Sequence, residues 1–465
     1  MDKKRSFPNT WIIITITVAI AAALSWIVPA GSYDYETINV NGTERRVAIE
    51  GTYHTIDKSE TSPTGFLGVF AALYTGCVNA ADVIFIIMLC AATFGVMVKT
   101  GAFHAAIAAV LRKVRKEQIL LFLPVLMLTF GAGASFMGMT SEFYGFVPLV
   151  TGLFVALGYD PIVGFAIVVL GDSIGFMAST LNPFTVGVAQ SIVGLPLYSG
   201  TLYRLICFVV FMAISIAYTM WYARRVERNP GKSVLAGIPC IHSFQAEDLE
   251  QYNLDGRAVL ILLDMLITIV VLMYGLMKYG WGYKYYAAVF LVMSIVAALI
   301  QGWSANQYVA EFVDCAKSVV WSCVLAGLCK GIMVVLNDAQ IIDTIIYGLS
   351  CILRGAPRAV SAQLMLLVQT LINFPVGSGS GQAVVTMPIM APLADILGIS
   401  RQLAVLAYQF GDGLTNLIYP TCSVVIWCGI GDIPYGKWLR WFMPLFGILL
   451  LAQMIMLQIG TMIGY

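Results

Sequence analysis

Charged residues are scarce in this chain: Asp, Glu, Lys and Arg make up 11% of its 465 residues. A soluble domain carries about 25% charged residues, so this composition excludes an ordinary soluble protein. Hydrophobic residues account for 59%. Apolar runs of about 20 residues recur, which predicts an all-α integral membrane protein rather than a barrel of short alternating strands. The net charge of +1 argues against nucleic acid as a partner.

Groups that build metal sites or catalytic centres are also few. The chain has three histidines, and none of its ten cysteines forms a Cys-x-x-Cys pair. We therefore expect free thiols packed among apolar side chains rather than metal ligands or disulfides. Neither a His-Glu-x-x-His motif nor a Gly-x-x-x-x-Gly-Lys-Ser/Thr loop occurs, which disfavours metalloprotease chemistry and ATP drive within this chain.

Two polar interruptions stand out within the apolar sequence. Residues 171–185 read GDSIGFMASTLNPFT, and residues 411–423 read GDGLTNLIYPTCS. In the first, Asn182-Pro183 removes a backbone donor and disfavours helix at the preceding residue. Interrupted helices at matching places in two halves are the best sequence indication of a transporter's binding site.

The first half, residues 1–228, is predicted to form one repeat unit. It contains a first span, an external loop at 30–64 with a small β-hairpin, a re-entrant hairpin at 119–157 and an interrupted span at 161–198. Basic residues before the first span and after the last place the N-terminus in the cytoplasm.

The second half is predicted to repeat this plan upside down. Residues 229–283 form a cytoplasmic loop and a connecting span, and residues 284–465 form the second, inverted unit. Its hairpin lies at 363–397 and its interrupted helix at 402–430. An inverted second unit follows from five predicted crossings between equivalent spans, at 11–28, 81–98, 161–198, 202–222 and 258–276.

A shift of 240 positions supports the repeat. It places Pro148 on Pro388 and Gly171-Asp172 on Gly411-Asp412, with no gap between them. The matches are few and a chance alignment stays open, but they involve residues that shape the backbone and the site.

Asp172 and Asp412 are the main site candidates, because ionisable groups at bilayer depth are costly and usually functional. Each is expected to bind a coupling cation, Na⁺ or H⁺, or the amino group of a substrate. The alternative is structural: each carboxylate caps a half-helix or accepts hydrogen bonds from Ser or Thr.

Small hydroxyl and amide groups at the hairpin tips and helix breaks complete the predicted site. Their oxygens and freed backbone groups suit Na⁺ or a carboxylate, although close helix packing and a plain kink are the alternatives. The predicted residues are Ser135, Thr140, Ser141, Glu142, Asn182, Thr185, Ser378, Ser380, Asn416, Thr421 and Ser423. Glu142 and Asn373 are weaker candidates than the hydroxyl and amide groups.

The tips and breaks contain no Arg or Lys. A dicarboxylate would have to be held by hydroxyls, amides and helix dipoles, whereas a positively charged group could use Asp172 or Asp412. Lys99, Lys317 and Lys330 lie in apolar stretches, and we expect them to extend to an interface.

Three runs resemble the YfcC family, related to the anaerobic C4-dicarboxylate carriers of the ion transporter superfamily. They are LNPFTVGVAQSIVGLPLYSG at 181–200, IVPAGSYDY at 27–35 and GDG-x-x-N at 411–416. The resemblance implies a bacterial inner-membrane secondary carrier, with a site formed by paired hairpin tips and two helix breaks, and a homodimer. Members are described as dicarboxylate carriers and as basic amino acid antiporters. The Ser-Asn-Thr signatures of other dicarboxylate symporters are not intact here, so their Na⁺ ligands are not carried over.

The sequence therefore predicts a multi-pass secondary active transporter in contact with membrane lipid, with a periplasmic C-terminus. Its substrate is a small carboxylate-bearing metabolite. The favoured substrate is an amino acid, and a basic amino acid is the more specific form of this prediction. The alternative is a C4-dicarboxylate coupled to Na⁺ or H⁺. A channel, a membrane enzyme and a sensor are the rival classes. A channel differs from a carrier because it would not accumulate substrate against a gradient. The enzyme class is disfavoured because we find no nucleophile–base pair in the sequence, and the sensor class because no loop is long enough to form a large soluble domain.

Overall fold

A computed structural model describes residues 10–40, 43–61, 63–113, 120–238, 252–279, 281–353 and 356–465. Over these residues the chain is built almost entirely of α-helices, with four short strands near the N-terminus. The predicted turn at Asn41-Gly42 and the residues that include Arg115, Lys116 and His242 lie outside the described ranges.

The described residues of the first half contain nine helices. Their bounds are α1 Thr10–Ile27, α2 Phe66–Asn79, α3 Ala81–Lys99, α4 Ala102–Lys113, α5 Phe122–Ala132, α6 Phe146–Ala156, α7 Pro161–Met177, α8 Val186–Ile192 and α9 Thr201–Arg228. A π-helical turn at Gly133–Met137 extends α5.

Ten helices lie within the described residues of the second half. They are α10 Gly256–Tyr279, α11 Tyr283–Gln301, α12 Ala305–Ser318, α13 Val320–Asp338, α14 Ile342–Leu353, α15 Arg358–Val376, α16 Gly379–Ile396, α17 Arg401–Thr415, α18 Val424–Ile430 and α19 Tyr435–Ile463. A bend of 83° separates α13 from α14.

The external loop forms the predicted β-hairpin and a second pair of strands. Strands β2 Tyr35–Val40 and β3 Thr43–Ala48 pair antiparallel, and β1 Gly31–Ser32 pairs with β4 His54–Thr55. The Tyr35 hydroxyl donates to the Asp343 carboxylate at 2.8 Å. This bond ties the β-structure to α14, at the bend after α13.

Four described helices are long and apolar enough to cross a membrane, and the bent pair α13–α14 would make a fifth. The four are at Ala81–Lys99, Thr201–Arg228, Lys284–Gln301 and Tyr435–Ile463. The chain is a multi-pass membrane protein. The sidedness of its helices and the inversion of its second half stay predictions.

The interrupted helices lie at the centre of the protein. Almost every residue of α7 and α17 is buried, so both helices are surrounded by other parts of the protein. Both arms of the first hairpin, α5 and α6, pack on α7, and both arms of the second, α15 and α16, pack on α17. A second core joins α3, α4, α10 and α11.

The paired Gly-Asp sequences occupy matching positions in this arrangement. A Cβ added to Gly171 would lie 2.9 Å from the Met127 carbonyl oxygen on α5. One added to Gly411 would lie 2.8 Å from the Thr370 nitrogen on α15. Each glycine thus lets its helix contact the first arm of its hairpin. The repeat that the 240-residue shift indicates stays a prediction.

Two apolar stretches of the sequence form shorter helices in the structure. The segment predicted as a broken span to residue 198 ends its second helix at Ile192, because Gly194 takes a left-handed φ of +72° and Pro196 follows. The apolar stretch 309–336, whose sequence contains no Pro to divide it, is split into α12 and α13 at Val319.

Candidate functional site

One cavity of about 410 Å³ lies where the two hairpin tips and the two helix breaks meet. The first tip contributes Gly138 to Glu142, and the second contributes Gly377 to Ser380. Residues of α3, α11 and α13 close the remaining wall. The cavity is large enough for a small metabolite.

Most predicted site residues line this cavity. They are Thr140, Ser141, Glu142, Asp172, Thr185, Ser378, Ser380, Asn416, Thr421 and Ser423. Ser135, Asn182 and Asp412 do not line it. The structure brings together residues that are almost 300 positions apart in the sequence.

The first hairpin tip unwinds at Gly138, which has a left-handed φ of +71°. The chain resumes as a short 3-10 turn at Ser141–Phe143. The Glu142 carboxylate accepts a hydrogen bond from the Thr140 backbone N–H at 2.8 Å, so the tip holds this side chain in place. Glu142 is 4% exposed, and its carboxyl group belongs to the cavity wall.

Asp172 lies inside α7 rather than at its start. The residue that caps α7 is Asp160, whose side chain accepts from the Ile162 N–H at 2.8 Å. Asp172 is 1% exposed, and one of its oxygens, Oδ1, has no hydrogen-bond partner among the described residues. The capping explanation therefore does not apply to this carboxylate.

Asp412 lies directly behind the cavity wall, inside α17. A Cβ added to Gly379 would lie 2.9 Å from both Asp412 Oδ2 and Thr185 Cγ2, so both side chains lie close to the second tip. Neither Asp412 oxygen nor Thr185 Oγ1 has a hydrogen-bond partner within the described part of the chain. The Asn373 Oδ1 atom also has no hydrogen-bond partner among the described residues.

The first break, between Met177 and Val186, is braced by Ser135 and Asn182. Ser135 Oγ lies 3.1 Å from Thr180 Oγ1 and accepts from the Thr180 N–H at 3.2 Å. Asn182 Oδ1 accepts from the Phe184 N–H at 2.9 Å. Both side chains are fully buried and satisfy backbone groups that the broken helix leaves free.

The second break depends on Asn373, near the end of α15. Its Nδ2 lies 2.9 Å from the Asp412 carbonyl oxygen, 2.8 Å from Thr415 Oγ1 and 3.0 Å from Asn416 Oδ1. These contacts hold the end of α17 against the hairpin where the helix stops.

The two broken helices cross where α7 ends. A Cβ added to Gly413 would come within 2.4 Å of the Met177 Cα, so the crossing requires glycine. Gln409 of α17 donates to the Phe176 carbonyl oxygen at 2.6 Å. This crossing places both aspartate-bearing helices beside one cavity.

Lys330 lines the cavity, although its sequence context predicted a side chain that reaches an interface. It lies on α13, and Cys329 next to it donates to the Pro420 carbonyl oxygen at 3.1 Å in the second break. Lys330 is the single Lys or Arg among the described residues that line the cavity. Its apolar surroundings in the sequence gave no signal of this position.

Residues 171–175 have the Gly-x-Ser-x-Gly spacing of a hydrolase nucleophile motif. That motif requires a sharp turn between a strand and a helix, whereas Ser173 lies within the continuous helix α7. No histidine is among the described residues that line the cavity. The arrangement therefore does not form a nucleophile–base pair.

Comparisons with known proteins agree over nearly the whole chain. The sequence profile of a family described as C4-dicarboxylate anaerobic carrier matches residues 7–462. YfcC of Escherichia coli K12, named as a candidate basic amino acid antiporter, is 30% identical over 100% of this chain and 98% of its own length. An uncharacterised protein of Haemophilus influenzae is 29% identical over 98% of this chain and 97% of its own.

Two solved structures resemble the chain at low identity. The YdaH transporter of Alcanivorax borkumensis has 15% identity and a TM-score of 0.46, covering 98% of this chain and 99% of that one. MtrF of Neisseria gonorrhoeae, from a class of antimetabolite efflux pumps, has 18% identity and a TM-score of 0.46, covering 98% and 95%.

Proposed function

This chain belongs to the C4-dicarboxylate anaerobic carrier family, and on that premise we propose that it carries a basic amino acid by alternating access. It is a multi-pass membrane transporter and not an enzyme. The exchange of one amino acid for another, or coupling to an ion gradient, would drive the transport. The observation that carries the proposal is a cavity with carboxylates where two helix breaks and two hairpin tips meet.

The acidic side chains favour a substrate with positive groups. Glu142 and Asp172 line the cavity, and Asp412 lies directly behind it. All three are at least nine-tenths buried, so water screens them poorly and a bound cation would interact strongly. Ammonium or guanidinium groups of a basic amino acid meet this requirement, whereas two substrate carboxylates would face repulsion.

The C4-dicarboxylates are the second candidate. The family to which the chain belongs is described as C4-dicarboxylate anaerobic carrier, which favours them. The first turn of α16 adds free backbone N–H groups beside Ser378, which suit a carboxylate. A dicarboxylate would require Glu142 and Asp172 to be neutral or neutralised by a cation.

The oxygens beneath the second tip are a suitable place for a coupling ion. Asp412 Oδ2 and the Thr185 methyl group both lie close to Gly379. The two Asp412 oxygens, Thr185 Oγ1 and Asn373 Oδ1 have no hydrogen-bond partner among the described residues. Carboxylate, hydroxyl and amide oxygens are the ligands that Na⁺ takes, and a proton on Asp412 would serve the same purpose. We propose coupling to Na⁺ or H⁺ at this position and near Asp172.

The remaining features are proposed on the same basis. The protein would lie in the bacterial inner membrane, as a homodimer, with its N-terminus in the cytoplasm and its C-terminus in the periplasm. Arg224, Arg225 and Arg228 at the end of α9 support a cytoplasmic position for that end. The two halves would be inverted repeats whose hairpins re-enter from opposite sides.

Proteoliposome uptake tests the proposal. Vesicles preloaded with unlabelled lysine would be diluted into labelled lysine, arginine or succinate, with and without Na⁺ and a pH gradient. We expect labelled lysine to accumulate above its external concentration with saturable kinetics. Uptake of succinate alone would support the second candidate, and flux that never accumulates substrate would indicate a channel.

A further inference from the structure

Lys330 projects into the cavity from a helix that is packed rigidly against its neighbour. A Cβ added to Gly76 of α2 would lie 2.4 Å from the Gly331 nitrogen, so the backbones of α2 and α13 are in contact there. The α13 backbone next to Lys330 is therefore held against α2. The hairpin tips and helix breaks contain no Lys or Arg, so Lys330 supplies a positive charge that they do not.

The Lys330 ammonium has no hydrogen bond or ion pair with any residue that the structure describes. Its charged or thiol neighbours are Cys329 and Cys422. The cavity carboxylates, Glu142 and Asp172, come from the first tip and α7 instead. An ammonium group in such surroundings is costly unless it is paired. A molecule that carries groups of both signs would contact both sides of this cavity.

We propose that Lys330 binds the α-carboxylate of the amino acid while the acidic side chains bind its amino groups. This inference rests on the proposed function and adds the residue that selects the carboxylate end. An amino acid satisfies both sides of the cavity at once. A diamine of the same length leaves the lysine unpaired, and a dicarboxylate places one carboxylate against the acids.

The test compares lysine with cadaverine, which lacks only the carboxylate. Counterflow in proteoliposomes would be measured with the full chain, Lys330→Met, Lys330→Arg and the control Lys317→Met. Lys317 is exposed at the end of α12 and does not line the cavity. Wild type and Lys317→Met should prefer lysine strongly. Lys330→Met should lose at least about tenfold in kcat/KM for lysine, as expected for one charged contact, without a matching loss for cadaverine.

Each outcome is decisive. Lys330→Arg keeps the charge, so it should retain part of the lysine preference. Unchanged lysine transport by Lys330→Met would overturn the inference and leave the proposed function standing. An equal loss for lysine and cadaverine would also overturn it, because a merely structural role predicts that result. Failure of the wild type to move lysine would instead refute the proposed function on which the inference depends.

Discussion

The crossing of α7 and α17 gives the sharpest structural prediction, because it depends on one absent methyl group. In Gly413→Ala, the new Cβ would lie 2.4 Å from the Met177 Cα and 2.6 Å from its Cβ. Ordinary contact begins at 3.4 Å, so the helices must separate by about 1 Å. The obstructing atoms belong to the backbone and its first carbon, which no rotamer change can remove.

A matched control isolates this steric effect. Gly447 lies within α19, and a Cβ added there meets no atom within 4 Å. Replacing glycine with alanine inside a helix favours the helix by up to about 1 kcal/mol, at both positions alike. The overpacking at Gly413 alone costs about 1–3 kcal/mol. We therefore expect Gly413→Ala to be less stable than Gly447→Ala by about that amount.

The assay is the apparent melting temperature of each purified variant in detergent, at one fixed scan rate, because such proteins usually unfold irreversibly. Gly447→Ala should melt at or slightly above the wild-type temperature, and Gly413→Ala a few degrees below it. Transport by Gly413→Ala should also fall, since the crossing positions Asp412. Identical melting temperatures for the two variants would show that the helices do not cross as described.

Three further variants test the site. Gly379→Ala places a Cβ 2.9 Å from Asp412 Oδ2. Transport by this variant should drop at least about tenfold, with expression unchanged. Transport at the wild-type rate would contradict the position of Asp412 beneath the second tip. Asn373→Ala removes the contacts that hold the end of α17. The protein should lose about 1–3 kcal/mol of stability, seen as a lower apparent melting temperature. An unchanged melting temperature would show that the contacts are dispensable. Lys99→Met breaks an exposed 2.6 Å ion pair with Glu311; its stability should change by less than about 1 kcal/mol, and a larger loss would mean that the pair is more than a surface contact.

The helix breaks could be predicted because their cause is local. Asn182-Pro183 interrupts helix formation wherever the chain goes afterwards, and the structure leaves the helix between Met177 and Val186. The second break, with Pro420, is likewise found between Thr415 and Val424. Most residues at the predicted tips and breaks also face the cavity, because an unwound backbone brings small polar side chains together.

The features that the sequence did not reveal depend on distant contacts. Lys330 looks like an interfacial lysine in its apolar stretch, and the contact of α13 with α2 decides which way it faces. The division between α12 and α13 at Val319 also lacks a Gly or Pro to mark it. The pairing of β1 with β4 joins Gly31 to Thr55 across the intervening hairpin, which no short motif indicates.

The central claim is that buried carboxylates at the two broken helices take part in transport. The most direct measurement is lysine counterflow by Asp172→Asn and Asp412→Asn beside Asp338→Asn, whose carboxylate is exposed at the end of α13. The account predicts that Asp338→Asn transports at the wild-type rate, while Asp172→Asn and Asp412→Asn each lose most of their transport or change their dependence on Na⁺ and pH. Wild-type rates and unchanged ion dependence in both of these variants would contradict it.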